Sequence, residues 1–386
     1  MKSIVTGALL LGLLSCAPND YTIPAVSCTE STPLNSTYSR AQALQALLDR
    51  GTADGIPGMS IAVFTPEEGY WAGASGYARL EDKTALQICH LHYGQSVAKL
   101  YTAIGILKLV EAGKIALDEP VTTYLPARFS DYITEAHTIT VRMLLNHTSG
   151  IPGYSLDTDY VTVLLQHPLR TFTPEQYLSY IRKAPLAFKP GSYFEYSDTN
   201  YLLLALIADR VSGSYDRLIQ ESILTPLTLH QTFYDAIQQQ PNVVNSYFDR
   251  FGNGKLENVS QMQQANVNSL RGDDGITASP LDYVKLLRGL FEGKLLSDKS
   301  MTTMTIWVKD QKGEFRYGMG LYFEHFSGQV AYGHGGAGLG AGCGLYYFPE
   351  KKLYVFLGTN LGTLTDGPYV RKIGNLRDEL LDLLLK

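Results

Sequence analysis

Ser96-Val97-Ala98-Lys99-Leu100-Tyr101-Thr102-Ala103-Ile104-Gly105-Ile106-Leu107-Lys108-Leu109-Val110-Glu111 is apolar nearly all round. That is how a helix buried in the middle of a protein reads, so the rest of the fold has to cover it. Ser96 lies three residues before Lys99, a spacing that puts both side chains on one helical face. At a step of about 100° per residue, Lys99 lines up with Ala103, Ile106 and Val110, whereas Lys108 falls on the opposite face and can reach water. A hydroxyl and an amine are thereby paired on the covered side of a helix start. Burial and the positive end of the helix dipole both disfavour an ammonium ion, so these residues alone point to a lysine that can lose its proton near neutral pH. By average composition about one Ser-x-x-Lys is expected by chance in a chain this long. Here the motif occurs once, on a buried-looking helix preceded by Gly94 and Gln95.

Outward from this helix, the chain begins with a basic Lys2, an apolar run over residues 4–14 and then Leu13-Leu14-Ser15-Cys16. This start resembles a bacterial lipoprotein signal, which implies an exported, periplasmic or cell-envelope protein with residues 1–15 removed and Cys16 carrying acyl chains. The alternative is an ordinary secretory signal cut nearby; the run is too short for a stable transmembrane helix. Residues 16–35, rich in Pro, Ser, Thr and Asn, read as a flexible tether, and residues 36–386 as the globular body. With 32 basic and 37 acidic residues and no basic cluster, nucleic acid is not an expected partner. Cys28, Cys89 and Cys343 remain after Cys16 at no metal-like spacing, so a zinc site is not expected; the chemistry implied by the motifs below calls for no metal or organic cofactor. A Cys28–Cys89 disulfide is left open.

Strand patterns flank the helical middle. Residues 39–50 read as a helix, 59–64 and 69–77 as a hairpin, and helical patterns dominate from 96 to about 224. Strand patterns return at 318–324, 329–333, 342–348 and 353–358, ahead of an amphipathic helix from about Tyr369. The expectation is a mixed α/β (α+β) fold: one antiparallel sheet assembled from both termini, flanked by helices, with a helical subdomain over about 100–270 inserted between its parts.

Two further clusters join Ser96 and Lys99. Tyr196-Ser197-Asp198-Thr199-Asn200-Tyr201 follows Lys189-Pro190-Gly191 and precedes an apolar helix, and Gly333-His334-Gly335-Gly336 ends a strand pattern. In this order and spacing the chain resembles the class C β-lactamase and D-alanyl-D-alanine carboxypeptidase family of serine hydrolases, with its Ser-x-x-Lys, Tyr-x-Asn and Lys/His-x-Gly motifs. Leu144-Leu145-Asn146-His147-Thr148-Ser149-Gly150 and Gly275-Ile276-Thr277-Ala278-Ser279 look like its connecting segments. The resemblance implies that Ser96 forms an acyl-enzyme, that Lys99 and Tyr196 move its proton to the leaving group, and that the N–H groups of Ser96 and Ala337 hold the oxyanion. Gly336 and its neighbouring glycines would let a substrate lie close to the strand.

The chain departs from the family pattern at two places. Asp198 replaces the usual Asn and, ionised, accepts hydrogen bonds without donating any. Its charge should also hold Lys99 protonated, which makes Tyr196, as phenolate or hydrogen-bonded to Lys99, the expected base. His334 replaces the lysine of typical β-lactamases, which makes penicillin hydrolysis less expected than peptidase or esterase work. The implied substrate is a small peptide or amide ending in a D-amino acid, with an ester as the alternative and a non-catalytic peptidoglycan-binding protein as the contrasting class. His147 reads as structural, the Asp273-Asp274 pair as a loop, and Tyr154, Arg271 and Trp307 as neighbours of the cleft without a role.

Overall fold

A computed structural model describes residues 28–234 and 240–386. The leader, Cys16 and most of the tether therefore lie outside the described residues. Strands are β1 (Gly58–Thr65), β2 (Gly69–Arg79), β3 (Thr84–Ala85), β4 (His92–Tyr93), β5 (Thr232–Tyr234), β6 (Tyr247–Phe248), β7 (Glu257–Asn258), β8 (Ile276–Ala278), β9 (Val308–Lys309), β10 (Phe315–Tyr317), β11 (Tyr322–Phe326), β12 (Gln329–Ala337), β13 (Gly342–Phe348) and β14 (Leu353–Thr359). Nine of them form one antiparallel sheet in the order β3-β2-β1-β14-β13-β12-β11-β10-β9. The two ends of the chain meet inside it, Met59 of β1 lying opposite Thr359 of β14 and Phe64 opposite Tyr354. Everything between β3 and β9 is an insertion into this sheet.

The six helices that position the site are α1 (Ala41–Ala53), α2 (Ala98–Glu111), α3 (Thr158–Gln166), α4 (Asp198–Ser212), α5 (Pro280–Phe291) and α6 (Pro368–Leu385). All seven residues of β14 are buried, because the strand is covered on both faces. Its Leu353, Val355 and Leu357 join Leu44 and Leu48 of α1 and Leu376, Leu380 and Leu384 of α6 in one core. Its Tyr354 and Phe356 face the other way, into a larger core that runs through α2, α4 and α5. Leu376, Leu380 and Leu384 recur every fourth residue, the stripe that seats a helix on a sheet. Eleven residues of α2 are buried, Lys99 among them.

The strand expected over 318–324 is displaced. Gly318 N–H bonds the Leu321 carbonyl at 2.8 Å, closing a turn that ends β10 and delays β11 to Tyr322. Helix α5 had no counterpart in the sequence reading; Ser279 caps it by accepting from Asp282 N–H, and Pro280 occupies its first turn. The short sheet β4-β8-β5 was likewise too brief to carry a periodic signal. The pairing left open by the sequence is present: Cys28 and Cys89 form a disulfide.

Candidate active site

Ser96 sits in a single 3-10 turn, Gln95–Val97, that leads into α2. The residue before it, Gln95, is held at φ 48°, in the left-handed region that non-glycine residues rarely adopt. Ser96 remains partly accessible, whereas Lys99 is fully buried. Lys99 Nζ donates to Ser96 Oγ at 3.1 Å, to Asp198 Oδ1 at 2.8 Å and to the Asp273 carbonyl at 3.0 Å. Three protons thus meet three acceptors. The Tyr196 hydroxyl donates to Ser96 Oγ at 2.9 Å. Tyr196 is fixed just ahead of α4, its ring packed 4.5 Å from that of His147 and stacked on Tyr322 at 6.2 Å. His147 Nδ1 accepts from Ser197 N–H at 3.2 Å and from the Asn200 side chain at 3.0 Å, so this buried histidine braces the loop that carries Tyr196.

Three carboxylates surround the lysine. Asp198 Oδ2 accepts from the Ser155 hydroxyl at 2.5 Å, and Asp273 Oδ2 from the Tyr154 hydroxyl at 2.5 Å. Burial alone would raise the Asp198 pKa, but the Lys99 charge and its hydrogen bond outweigh that and hold the carboxyl below its ordinary value. Burial pushes Asp273 up to about 6 and Asp274 up to about 8, each opposed in part by Lys99. For Lys99, burial works against the charge, yet Asp198 and then Asp273 more than compensate, and its pKa is raised. The neutral lysine suggested by the helix alone therefore gives way to an ammonium ion. Burial and then the Asp198 charge drive the Tyr196 phenol well above its ordinary value. A resting phenolate is thereby disfavoured, and its hydroxyl bonds Ser96 rather than Lys99. Asp273 and Asp274, read from the sequence as a plain loop, are buried against the lysine.

Strand β12 forms the opposite wall. β11 pairs with it from Gln329 to Gly333 and then stops, while β13 pairs with its other edge as far as Ala337. One edge of residues 334–337 consequently has no strand beside it. Gly336 lies so close to the Ser96 turn that a Cβ there would be 2.4 Å from the Gly94 carbonyl oxygen. Ala337 is exposed at the strand end. His334 is buried: its Nδ1 faces the Gly335 carbonyl at 2.6 Å and its Nε2 faces the Tyr317 hydroxyl at 2.9 Å. Nδ1 therefore carries the proton, Nε2 accepts, and burial followed by the Lys99 charge pushes the ring down to about 3. His334 is a neutral hydrogen-bonding residue, not a cation.

Ser96, Tyr196, Asp198, His334, Gly336 and Ala337 all line one cavity of about 860 Å³, with Lys99 beneath it. Tyr154 lines it too. Arg271 instead pairs with Asp209 and Asp216, and Trp307 stacks on Tyr332 at 4.8 Å. Gln95, Ser155, Asp273 and Asp274 also line the cavity and were missed as site residues. For the acid pair a signal existed: Gly272 and Gly275 bracket it at positive φ, which marks a tight, specified loop. Among the described residues no group of three or more His, Cys, Asp or Glu is placed to hold a metal ion.

A family model described as Beta-lactamase matches residues 42–373. An Escherichia coli (strain K12) protein named "Putative D-alanyl-D-alanine carboxypeptidase" is 28% identical over 245 residues, covering 59% of this chain and 55% of that protein. The chain spans about half the length of the curated relatives it matches. Among solved structures, a D-stereospecific amidohydrolase from Streptomyces sp. is 26% identical with a TM-score of 0.75, over 87% of this chain and 97% of that one. The D-amino acid amidase from Ochrobactrum anthropi SV3, complexed with D-phenylalanine, shares the fold with a TM-score of 0.77 at 24% identity, over 89% of this chain and 98% of that one.

Proposed function

The chain belongs to the Beta-lactamase family, and from that premise we propose that it is a serine hydrolase that cleaves a peptide or amide of a D-amino acid through an acyl-enzyme on Ser96. The observation that carries this reading is the convergence of Lys99 Nζ and the Tyr196 hydroxyl on one accessible serine oxygen. A hydroxyl is a weak nucleophile until a neighbour takes its proton. With the Tyr196 phenol too weak an acid to stand ionised, the proposed step is a relay. Ser96 Oγ bonds the substrate carbonyl carbon while its proton passes to the phenolic oxygen. The phenol's own proton goes to the leaving nitrogen as the C–N bond breaks. The Lys99 ammonium stabilises charge on Oγ, and the N–H groups of Ser96 and Ala337 face the carbonyl oxygen as it becomes an oxyanion. Water then reverses the sequence and frees the acid.

Substrate charge decides between the variants of this reading. A neutral His334 offers a terminal carboxylate no charge, which favours an amide or peptide leaving group over the carboxypeptidase reaction. A carboxylesterase would use the same relay. Beyond the reaction, we place the protein in the cell envelope, anchored through Cys16; the Cys28–Cys89 disulfide suits an oxidising compartment.

The test is intact-mass detection of an adduct on Ser96 after exposure to a fluorophosphonate, a D-Ala-D-Ala peptide, a D-amino acid amide, a p-nitrophenyl ester and a penicillin. A fluorophosphonate adduct lost in Ser96→Ala is expected, together with faster turnover of the amide than of the dipeptide. Absence of any adduct would return the protein to the class of idle binding proteins.

A further inference from the structure

Ten large apolar side chains are exposed among the described residues, and four of them, Leu156, Val161, Leu165 and Leu364, line the cavity that holds Ser96. Leu156 is 80% exposed and Leu364 58%. Apolar groups scattered singly over a surface need no explanation, but a set gathered around a nucleophile marks a ligand groove. Leu156, Val161 and Leu165 come from α3 and the turn before it. Leu339 and Phe248, both buried, add to the apolar lining of the same cavity.

The two ends of the cleft differ. Tyr196, which hands its proton to the leaving group in the relay, lies at the end closed by Tyr322 and His334. The leaving group therefore belongs there. That leaves the half of the substrate that stays on Ser96 the rest of the cavity, which Ala337, Leu339 and the apolar residues of α3 line. Asp198, Asp273 and Asp274 line the same cavity, and Asp198 and Asp273 are already engaged by Lys99, Ser155 and Tyr154.

Resting on the serine-hydrolase reading above, we infer that the acyl half of the substrate carries a large apolar group, an alkyl chain or aromatic side chain, seated between Leu156, Val161 and Leu165 on one side and Leu339 and Leu364 on the other. Each methylene taken out of water in such a groove is worth about fourfold in affinity. Binding to the Ser96→Ala protein, which cannot turn over, reads this without catalysis. Titration calorimetry with N-octanoyl-D-alanine amide and N-acetyl-D-alanine amide should show the octanoyl compound binding at least about tenfold more tightly. Adding Leu156→Ser and Leu165→Ser should shrink that preference to within about threefold. Both positions are exposed, so the fold does not depend on them. Equal affinity for the two amides, or a preference that survives the double serine change, would overturn the inference. Fluorophosphonate labelling of the parent protein reports on the catalytic reading separately.

Discussion

At Ser96 the proposed chemistry depends on a phenol that relays a proton rather than one that stores a negative charge. Tyr196→Phe keeps the ring between His147 and Tyr322 but removes the relay. It should lower the acylation rate about a hundredfold or more, with the circular dichroism spectrum unchanged. Burst kinetics with a chromogenic ester would measure it, and a variant within tenfold of the parent would sink the relay. The buried acids give a second prediction. Asp274 holds its proton up to about pH 8 in the folded chain but releases it near 3.8 when unfolded. The folded state thus binds a proton that the unfolded state has lost, so this residue's contribution to stability declines as pH rises from about 4 through 8. Asp274→Asn keeps an acceptor for the Gly275 N–H and removes the titration. Its melting temperature should fall less than the parent's between pH 5 and pH 9 by scanning calorimetry. Equal slopes would mean that Asp274 does not carry the effect. Ser96 and Lys99 were legible because their pairing is local to one helix turn, and Tyr196 because an ordered motif names it. The charge on Lys99 was legible too, through Asp198 of that same motif; the un-ionised Tyr196 and the part played by Asp273 were not, since burial and a distant segment decide them.

At the scale of elements, β12 and the Ser96 turn press together where Gly336 faces the Gly94 carbonyl. Gly336→Ala has to push the strand off that turn and misalign the Ala337 N–H with the nucleophile. Loss of a positioned oxyanion donor costs about a hundredfold or more, and that fall in kcat/KM is expected for this variant, while a D-amino acid amide turned over at the parent's rate would show the contact to be slack. The runs Gly342–Phe348 and Leu353–Thr359 could be read from the sequence because strands covered on both faces are continuously apolar. β4, β5 and β8 were invisible, as two or three residues cannot establish a period. Helix α5 announces itself through Ser279 and Pro280, a cap signal at the end of the Gly275–Ser279 segment.

For the molecule as a whole, one contiguous core joins the inserted helices to the front of the sheet. Helices and sheet should therefore melt together, and tryptophan fluorescence and far-ultraviolet dichroism should trace one superimposable transition. Separated curves would mean that the inserted region folds alone. The Cys28–Cys89 bond closes a loop with a sequence separation of 61 residues, and its removal should cost about 4 kcal/mol by the loop-entropy account, read as a lowered denaturant midpoint in Cys89→Ser. Sheet assembly from both termini was legible because matching strand patterns bracket a helical middle. The pairing of β1 with β14 has a consequence for how the protein is made. As the polypeptide leaves the ribosome, Met59 emerges long before Thr359 exists to bond it, so the middle of the sheet stays open until Thr359 has been made. A nascent chain obliged to wait in this way has to keep one bare edge of β1 from sticking to its neighbours before it can close.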